Sequence, residues 1–265
     1  MSVGEPRDLR EGQYKDSGNL NARCALHERF STNPYGWFRW VHDHLDLPQR
    51  GRVLELGCGP GTLWAGRLHH VPPSCRVVLS DISGGMVREA VGRLGEGSRF
   101  KFAVLDAQTI PYAAGAFDAV IANHMLYHVP NVNRTLSEIQ RVLRPGGRLY
   151  AATNGRRHLQ EIADLIEAFD PALVPIWGRD RRTFELDDGA EHLARWFAEI
   201  RIERYEDSLV VGEAEPLAAY VFSMSMTASQ RARRDDFLRF VKRRLAESGP
   251  LRITKNAGLF VAVRA

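Results

Sequence analysis

The chain has 265 residues, 44% of them hydrophobic and 26% charged, which is typical of a globular protein with a sizeable core. Its three cysteines, Cys24, Cys58 and Cys75, show no C-x-x-C spacing, so a disulfide framework and a zinc ribbon are excluded. The formal net charge of +4 permits an anionic partner without requiring one. There is no apolar signal segment, and no apolar run reaches the roughly 18 residues of a membrane span. We therefore expect a soluble, cytoplasmic protein without a membrane partner.

The first 48 residues predict a helical arm that precedes the main domain, which we place at residues 49–265. Apolar residues recur at three-to-four spacing from Leu20 to Phe30. Asn33-Pro34 then supplies a cap and a first-turn proline for a second helix that runs to about Leu45.

Past Pro48, short apolar runs alternate with amphipathic stretches. The predicted strands are Arg52–Leu56, Arg76–Ser80, Phe100–Leu105, Ala116–Ala122 and Arg148–Thr153, and the predicted helices are Thr62–His70, Ser83–Leu94, Asn131–Leu143 and Arg157–Phe169. This alternation predicts an α/β fold, a Rossmann-like, mostly parallel sheet with helices on both faces.

The alternation of predicted strands and helices ends after Asp170. Further strands are predicted at Glu199–Tyr205 and Gly258–Val263, with a short candidate at Leu209–Val211. We interpret the segments at about 157–198 and 206–250 as insertions beside one seven-stranded sheet, the first of them a lid after the fifth strand.

The strongest local signal is VLELGCGPG, an apolar strand that leads into Gly57, Gly59 and Gly61. Glycine lets a backbone turn sharply and approach a ligand closely. A helix predicted to begin at Thr62 would offer free N–H groups to an anionic group. The G-x-G-x-G spacing differs from the G-x-G-x-x-G of dinucleotide binders, and a purely structural turn would give the same pattern.

Two acidic residues end the next two predicted strands. Asp81 follows the glycine loop by about 20 residues, where a carboxylate can accept two hydrogen bonds from a ribose diol. The alternative is that Asp81 caps a helix. Asp106 can accept a hydrogen bond from an exocyclic adenine amine. Because open α/β sheets bind ligands at the carboxyl edge, the three strand ends predict a nucleotide-like site.

In order along the chain, LELGCGPG, LSDIS, LDAQTIPYAAGAFDAVIANHMLYHV and RVLRPGGRLY resemble the motifs of class I S-adenosylmethionine-dependent methyltransferases, from Val53 to about Thr153. The resemblance implies S-adenosylmethionine as cofactor, with its methionine end on the glycine loop, its ribose on Asp81 and its adenine amine on Asp106. The cofactor-binding residues that it implies in the main domain are Gly57, Cys58, Gly59, Gly61, Asp81, Ile82, Met86, Asp106, Ala107, Gln108 and Asn123.

The N-terminal stretch from Tyr14 to Trp37 is similar to members that act on small molecules, in which an arm folds over the cofactor. Tyr14 and Arg23 are the candidate contacts, and Arg23 would meet the cofactor carboxylate. Otherwise Tyr14 is disordered and Arg23 is a surface charge.

The segment after the fourth strand lies where this family places its methyl-transfer site. His124 and His128 have i, i+4 spacing and are predicted to share a helical face. They are candidate catalytic residues, with one acting as general base. A metal pair is disfavoured because only two histidines and no carboxylate lie together, and His128 alternatively packs under the sheet.

Four residues are candidates for acceptor binding: Tyr127, Asn154, His158 and Trp177. Asn154 alternatively caps a helix. Trp177, together with Phe184, Tyr205 and Tyr220, would line a lid or form the insertion's own small core.

The residues and the resemblance together predict methyl transfer to a small molecule, such as a specialised metabolite, by in-line displacement. One alternative is an RNA or protein methyltransferase that uses the basic helix Gln230–Arg244, although Asp235 and Asp236 interrupt its charge, and we do not expect a nucleic-acid partner. A second is an inactive cofactor-binding module. The sequence leaves the acceptor, the methylated atom and the oligomeric state open.

Overall fold

A computed structural model describes residues 17–97, 99–173, 183–224 and 226–265. Seven strands form one sheet in the order β3-β2-β1-β4-β5-β7-β6. Their bounds are β1 Arg52–Leu56, β2 Arg76–Asp81, β3 Phe100–Val104, β4 Phe117–Asn123, β5 Leu143–Asn154, β6 Ala198–Val211 and β7 Leu251–Val263. The first five strands are parallel, and β7 is antiparallel to both β5 and β6. The predicted Rossmann-like, mostly parallel sheet is confirmed.

The central strands are apolar along their length because both of their faces are covered. In β1, Val53 and Leu54 point to opposite faces and are both fully buried, as are Val120 and Ile121 in β4. One hydrophobic cluster lies on each side of the sheet around these residues.

The α-helices are α1 Gly18–Phe30, α2 Trp37–Asp43, α3 Gly84–Leu94, α4 Val132–Val142, α5 Gln160–Phe169, α6 Gly189–Ala194, α7 Ala214–Phe222, α8 Ala228–Arg231 and α9 Arg234–Ser248. Side chains cap the N-termini of α3 and α4. The Ser83 hydroxyl accepts the Met86 N–H at 3.3 Å, and the Asn131 side chain accepts the Arg134 N–H at 2.9 Å. The cap predicted at Asn33 is wrong, because α2 begins only at Trp37, after Gly36. No helix among the described residues is both long and apolar enough to span a membrane.

The helix predicted over Thr62–His70 is wrong. The N–H groups of Trp64, Ala65 and Arg67 each donate to the carbonyl three residues earlier and form a series of turns, and only Leu68–His70 is a short 3-10 helix. Gly66 has a φ of +71°, which an α-helix cannot contain. Trp64 is also fully buried and donates from Nε1 to Glu55, so core packing directs this segment.

The last two strands are longer than predicted. Glu199–Tyr205 and Leu209–Val211 belong to a single strand, β6, and β7 begins seven residues before the predicted Gly258. The pairing of β7 with β5 ends at Ala257 opposite Asn154, so its first residues pair with β6 alone. The resulting two-stranded ribbon extends beyond the rim of the sheet.

A third hydrophobic cluster covers this ribbon. Leu209, Val211 and Ile253 of the ribbon are buried against side chains from α1, α5, α7 and α9. We call this unit the cap core. It stands next to the carboxyl edge of the parallel strands, at the end where β5 finishes.

Candidate cofactor and acceptor site

The loops that follow β1, β2 and β3 are joined by backbone hydrogen bonds at the carboxyl edge of the sheet. The Cys58 N–H donates to the Ser80 carbonyl at 2.9 Å, and the Leu105 N–H donates to the Asp81 carbonyl at 3.1 Å. The structure therefore brings together the glycine loop, Asp81 and the segment that begins at Asp106.

Asp81 holds the glycine loop through its side chain. One carboxylate oxygen accepts the Gly59 N–H at 3.0 Å and the other accepts the Ser83 N–H at 2.8 Å. Burial raises the pKa of this carboxyl, although the hydrogen bonds from Ser83 and Gly59 oppose the shift. The cap of α3 is Ser83, so the interpretation of Asp81 as a simple helix cap is wrong. Each carboxylate oxygen keeps acceptor capacity for a further donor.

At two positions of the loop, both the backbone conformation and the surrounding side chains require glycine. Gly57 has a φ of +66°, and a Cβ on it would lie 2.7 Å from Cβ of Met125. Gly61 has a φ of +76°, and a Cβ there would lie 2.8 Å from Cδ1 of Leu94. Larger residues would clash with the loop after β4 and with α3, so the glycine loop is packed from both sides.

The helix N-terminus expected after the loop is absent, because no α-helix begins at Thr62. The Gly61 N–H donates to the Cys58 carbonyl at 3.1 Å. The backbone of the loop can still approach a ligand, but the predicted helix-terminal anion site is wrong.

The third loop contains the residues expected beside adenine. The Asp106 carboxylate accepts the Gln108 N–H at 2.8 Å, which folds the loop back on itself. Ala107 is buried, Ile82 is half-buried at the rim, and Met86 is only 1% exposed. The nearly complete burial of Met86 makes it chiefly a core residue of α3.

A buried acid lies beneath the glycine loop. Glu55 of β1 accepts a hydrogen bond from Nε1 of Trp64 at 2.6 Å. Burial raises its pKa to about 7, the nearby Asp81 charge adds to the rise, and the Trp64 bond opposes it. The sequence analysis did not single out Glu55, although an acid inside an apolar strand is a usable signal.

The N-terminal arm crosses the same rim. At the start of α1, the Ser17 N–H donates to the Glu89 carboxylate of α3 at 3.0 Å. One turn later, a Cβ built on Gly59 would lie 3.7 Å from Cδ2 of Leu20. At the far end, the Ser31 hydroxyl donates to Asp207 of β6 at 2.6 Å. Arg23 lies between these anchors and is half-buried, whereas Tyr14 lies outside the described residues.

The end of β4 meets α2. The Asn123 side chain accepts Nε1–H of Trp37 at 3.3 Å, and the ring of Trp37 lies 4.8 Å from that of His124. His124 has a φ of +55°, and the helix that follows, Leu126–His128, has only three residues. The prediction that His124 and His128 share a helical face is therefore wrong. The ring of Tyr127 lies 6.2 Å from that of His124 and 4.5 Å from that of His128.

The end of β5 faces the cap core. Asn154 is 8% exposed, and α5 begins only at Gln160, so the predicted capping alternative is wrong. His158 accepts the Asn256 N–H at Nδ1, 3.1 Å away, and its ring stacks on His27 at 6.0 Å. Phe184 is fully buried in the main core against Phe260. Trp177 lies outside the described residues.

Several residues of this region were missed by the sequence analysis. Lys255 of β7 forms an ion pair with Asp207 of β6, and their side chains are 7% and 0% exposed. The Lys255 ammonium also lies 5.4 Å from the ring of Tyr205. Burial, with a further contribution from Lys255, lowers the pKa of His27 to about 4. Lys255 is flanked in the sequence by the polar residues Thr254 and Asn256, so its local pattern gave no sign of burial.

Comparison with known proteins gives a family for the central part of the chain. Residues 54–151 match the family described as "Methyltransferase domain". The ubiquinone/menaquinone biosynthesis C-methyltransferase of Desulfotalea psychrophila is 36% identical over 143 residues, which are 54% of this chain and 57% of that protein. The malonyl-[acyl-carrier protein] O-methyltransferase of Geobacter sulfurreducens is 34% identical over 148 residues, 54% of each chain.

A solved structure extends the comparison to nearly the whole chain. The phosphoethanolamine N-methyltransferase 2 of Haemonchus contortus, in complex with S-adenosyl-L-methionine, matches with a TM-score of 0.62 and 20% identity. The match covers 99% of this chain and 60% of that one, and at this identity it shows the fold alone. The chain spans little more than half the length of the curated relatives that it matches.

Proposed function

We propose that this chain, which belongs to the class I S-adenosylmethionine-dependent methyltransferases and uses S-adenosylmethionine as cofactor, transfers the methyl group to a small-molecule acceptor. The observation that supports the proposal most directly is that the Asp81 carboxylate accepts hydrogen bonds from the Gly59 and Ser83 N–H groups and so holds the glycine loop. It fixes a carboxylate with spare acceptor capacity beside the backbone of Gly57 and Gly59, which carry no side chain of their own, and this arrangement suits a ribose diol next to an amino-acid chain.

The residues fit the parts of this cofactor. Asp81 would accept the ribose hydroxyls, the backbone around Gly57 and Gly59 would contact the methionine end, and Asp106 with the Gln108 backbone would meet the adenine. Arg23 on the arm would bind the cofactor carboxylate. When bound, the cofactor supplies an activated methyl group on a sulfonium, and the chain positions an acceptor for in-line attack on it.

The arm and the cap core would exclude water from this reaction. The arm is held at both ends, by Glu89 on α3 and by Asp207 on β6, so it lies across the rim on which both ligands would meet. An enclosed site strengthens the electrostatic interactions within it and prevents hydrolysis.

The nature of the acceptor is supported by chemistry and by the relatives. The three similar proteins act, by their names, on carbon, oxygen and nitrogen, so the fold does not determine the methylated atom. We propose a small-molecule acceptor bound by Tyr127, Asn154, His158 and Trp177, with His124 and His128 as candidate general bases. A cytoplasmic enzyme of specialised metabolism would fit this description.

The alternative acceptor, a nucleic acid bound by the basic C-terminal helix, has little support from the charges. Arg233, Arg234 and Arg239 form ion pairs with Asp170, Glu215 and Asp236 respectively. A helix whose arginines are partly neutralised in this way is a weak binder of phosphates.

The proposal is tested by thermal unfolding of the full chain with S-adenosylmethionine, S-adenosylhomocysteine or NAD. A ligand that binds only the folded state raises the melting temperature. We expect a rise with the first two compounds, none with NAD, and loss of the rise in Asp81→Ala. An unchanged melting temperature with S-adenosylhomocysteine in the wild type would contradict the proposed function.

A further inference from the structure

The arm helix presents a stripe of side chains to the rim of the sheet. Leu20 lies against the glycine loop, and Arg23, His27 and Ser31 follow at intervals of three to four residues, which places them on one helix face. A helix rises about 1.5 Å per residue, so His27 lies about 10 Å along the axis from Leu20. His27 is thus past the part of α1 that faces the cofactor loop, towards the cap core.

A group of polar and aromatic side chains shares one face of the strands near His27. Asn154 and Tyr205 both pair with Ala257, and Asp207 pairs with Lys255 two residues away on β7. Directly opposed residues in a sheet, and residues two apart along a strand, point to the same face. Asn154, Tyr205, Asp207 and Lys255 therefore project together beneath the arm.

Lys255 brings a buried positive charge to this face. Burial alone would raise the pKa of Asp207, but hydrogen bonds from Lys255 and Ser31 outweigh it, so the pKa is lowered and the pair is ionic. Among the residues that the structure describes, the ammonium donates a hydrogen bond to Asp207 alone. A lysine ammonium has three N–H donors, so it retains capacity for a ligand oxygen.

His27 brings a neutral imidazole to the same place. Its Nδ1 is buried and has no hydrogen-bond partner among the described residues. Its ring is held by His158, stacked at 6.0 Å, and by Tyr220, edge-on at 6.1 Å. Since its pKa is lowered to about 4, His27 is uncharged at neutral pH and can accept a hydrogen bond.

Two further observations point to a ligand here. The Asn154 Oδ1 is also buried without a hydrogen-bond partner within the described part of the chain, and leaving such an acceptor unsatisfied costs free energy. The rings of Trp37 and Tyr205 meet edge to face at 5.4 Å beside Lys255 and form an apolar wall. A planar molecule with hydroxyl groups would satisfy both features.

We propose that His27 and Lys255 form an acceptor subsite for the hydroxyl of a phenol or enol. The hydroxyl donates to Nδ1 of His27, and its oxygen accepts from Nζ of Lys255. This assignment rests on the proposed function and specifies its substrate class. An alkylamine acceptor is disfavoured because its protonated form would be repelled by the Lys255 ammonium.

With these two residues, the bonds, the proton and the charge of the methyl-transfer step are all accounted for. The acceptor oxygen forms a bond to the methyl carbon, the carbon–sulfur bond breaks, and its electron pair stays on sulfur to leave S-adenosylhomocysteine. The hydroxyl proton passes to His27. Lys255 stabilises the negative charge that develops on the oxygen, and because His27 is a weak base the hydroxyl must be acidic, which selects phenols and enols over simple alcohols.

The test uses 4-nitrophenol, whose ionised form is coloured, added to the full chain saturated with S-adenosylhomocysteine. We expect the bound probe to ionise at a pH about one unit or more below that of the free probe, a tenfold preference for the phenolate. Because Lys255→Met alone would leave Asp207 buried without its partner, the variant is Lys255→Met combined with Asp207→Asn. In this double variant we expect the shift to be lost.

Two more variants complete the test. Lys242→Met, on the exposed surface of α9, is the matched control and should ionise the probe as the wild type does. His27→Phe keeps a ring against His158 but removes the acceptor atom, and we expect about fivefold weaker binding of the neutral probe. Melting temperatures with S-adenosylhomocysteine show separately whether each variant folds and binds the cofactor product.

The outcomes separate the two proposals. If S-adenosylhomocysteine binds but the probe does not, or if the probe ionises equally in the wild type and the double variant, the acceptor subsite is wrong and the proposed function stands. If S-adenosylhomocysteine itself fails to bind the wild type, the proposed function is wrong.

Discussion

The carboxylate of Asp81 accepts the backbone N–H of Gly59 at 3.0 Å, so the end of β2 determines the course of the loop after β1. Asp81 also accepts the Ser83 N–H at 2.8 Å, and both oxygens are thereby oriented before any ligand arrives. A side chain held in this way loses little conformational entropy on binding. In the proposed site, loop geometry and ribose binding are thus coupled through one residue.

This coupling predicts a large effect for Asp81→Asn. An amide must present its NH₂ group to one of the two backbone N–H donors, which then loses its acceptor. The change also removes the charge that would strengthen the proposed ribose hydrogen bonds. We expect the Kd for S-adenosylhomocysteine, measured by calorimetry, to rise about 30-fold, which corresponds to about 2 kcal/mol. The control is Asp164→Asn on the exposed surface of α5. Equal affinity in the two variants would contradict the role of Asp81.

The packing of the glycine loop predicts opposite effects for two Gly→Ala changes. Gly57→Ala places a Cβ 2.7 Å from Cβ of Met125 at a positive φ, so we expect a loss of at least about 2 kcal/mol in the free energy of unfolding. Gly92→Ala, in α3 with nothing within 4 Å of its Cβ, should gain up to about 1 kcal/mol. Urea unfolding measures both. If Gly57→Ala leaves the free energy of unfolding unchanged, the loop does not pack as described.

The buried acid in β1 predicts a pH dependence of stability. The pKa of Glu55 is raised to about 7 in the folded chain and is 4.5 for an ordinary glutamate, so the folded state binds the proton more tightly. Protonation of Glu55 contributes about 3 kcal/mol to the free energy of unfolding. This contribution is fully present below pH 4.5 and is lost as the pH rises through 7. Glu55→Gln keeps an acceptor for Trp64 and has no proton to lose.

Relative to the wild type, Glu55→Gln should therefore become more stable as the pH rises from 5 to 8, by up to about 3 kcal/mol. Urea unfolding at several pH values measures the difference. The matched control is Glu167→Gln at an exposed position of α5, measured in the same way. A constant difference for Glu55→Gln would mean that Glu55 titrates as an exposed acid does.

The position of Arg23 on the arm predicts a selective loss of affinity. If Arg23 binds the cofactor carboxylate, Arg23→Gln should weaken S-adenosylhomocysteine about tenfold, the value of one charge-assisted hydrogen bond. It should leave 5′-methylthioadenosine unaffected, because that compound has no amino-acid group. Arg29→Gln, two turns away in the same helix and paired with Glu213, is the control. Equal weakening of both ligands would place Arg23 elsewhere in the site.

The acceptor side shows why some of the site could not be predicted. His27 appeared in the sequence only as part of a helical repeat, and Lys255 and Asp207 occur in strands whose charges suggest exposure to solvent. They form the proposed acceptor subsite because α1, β6 and β7 meet, across separations of up to 228 residues between His27 and Lys255. No local pattern encodes such a meeting. His124 and His128 were singled out by their spacing, but the left-handed backbone at His124 separates them.

The sequence by itself determined the parallel sheet from β1 to β5, the glycine loop and the two acids at the strand ends. These features depend on neighbours close in the chain: apolar runs make strands, and glycines at the end of a strand make a tight turn. Only the tertiary structure decided that Thr62–His70 forms turns, because Trp64 is buried in the core, where its Nε1 donates a hydrogen bond to Glu55. It also decided what the arm covers, since burial of an ion pair beneath a helix depends on surfaces that meet only after folding.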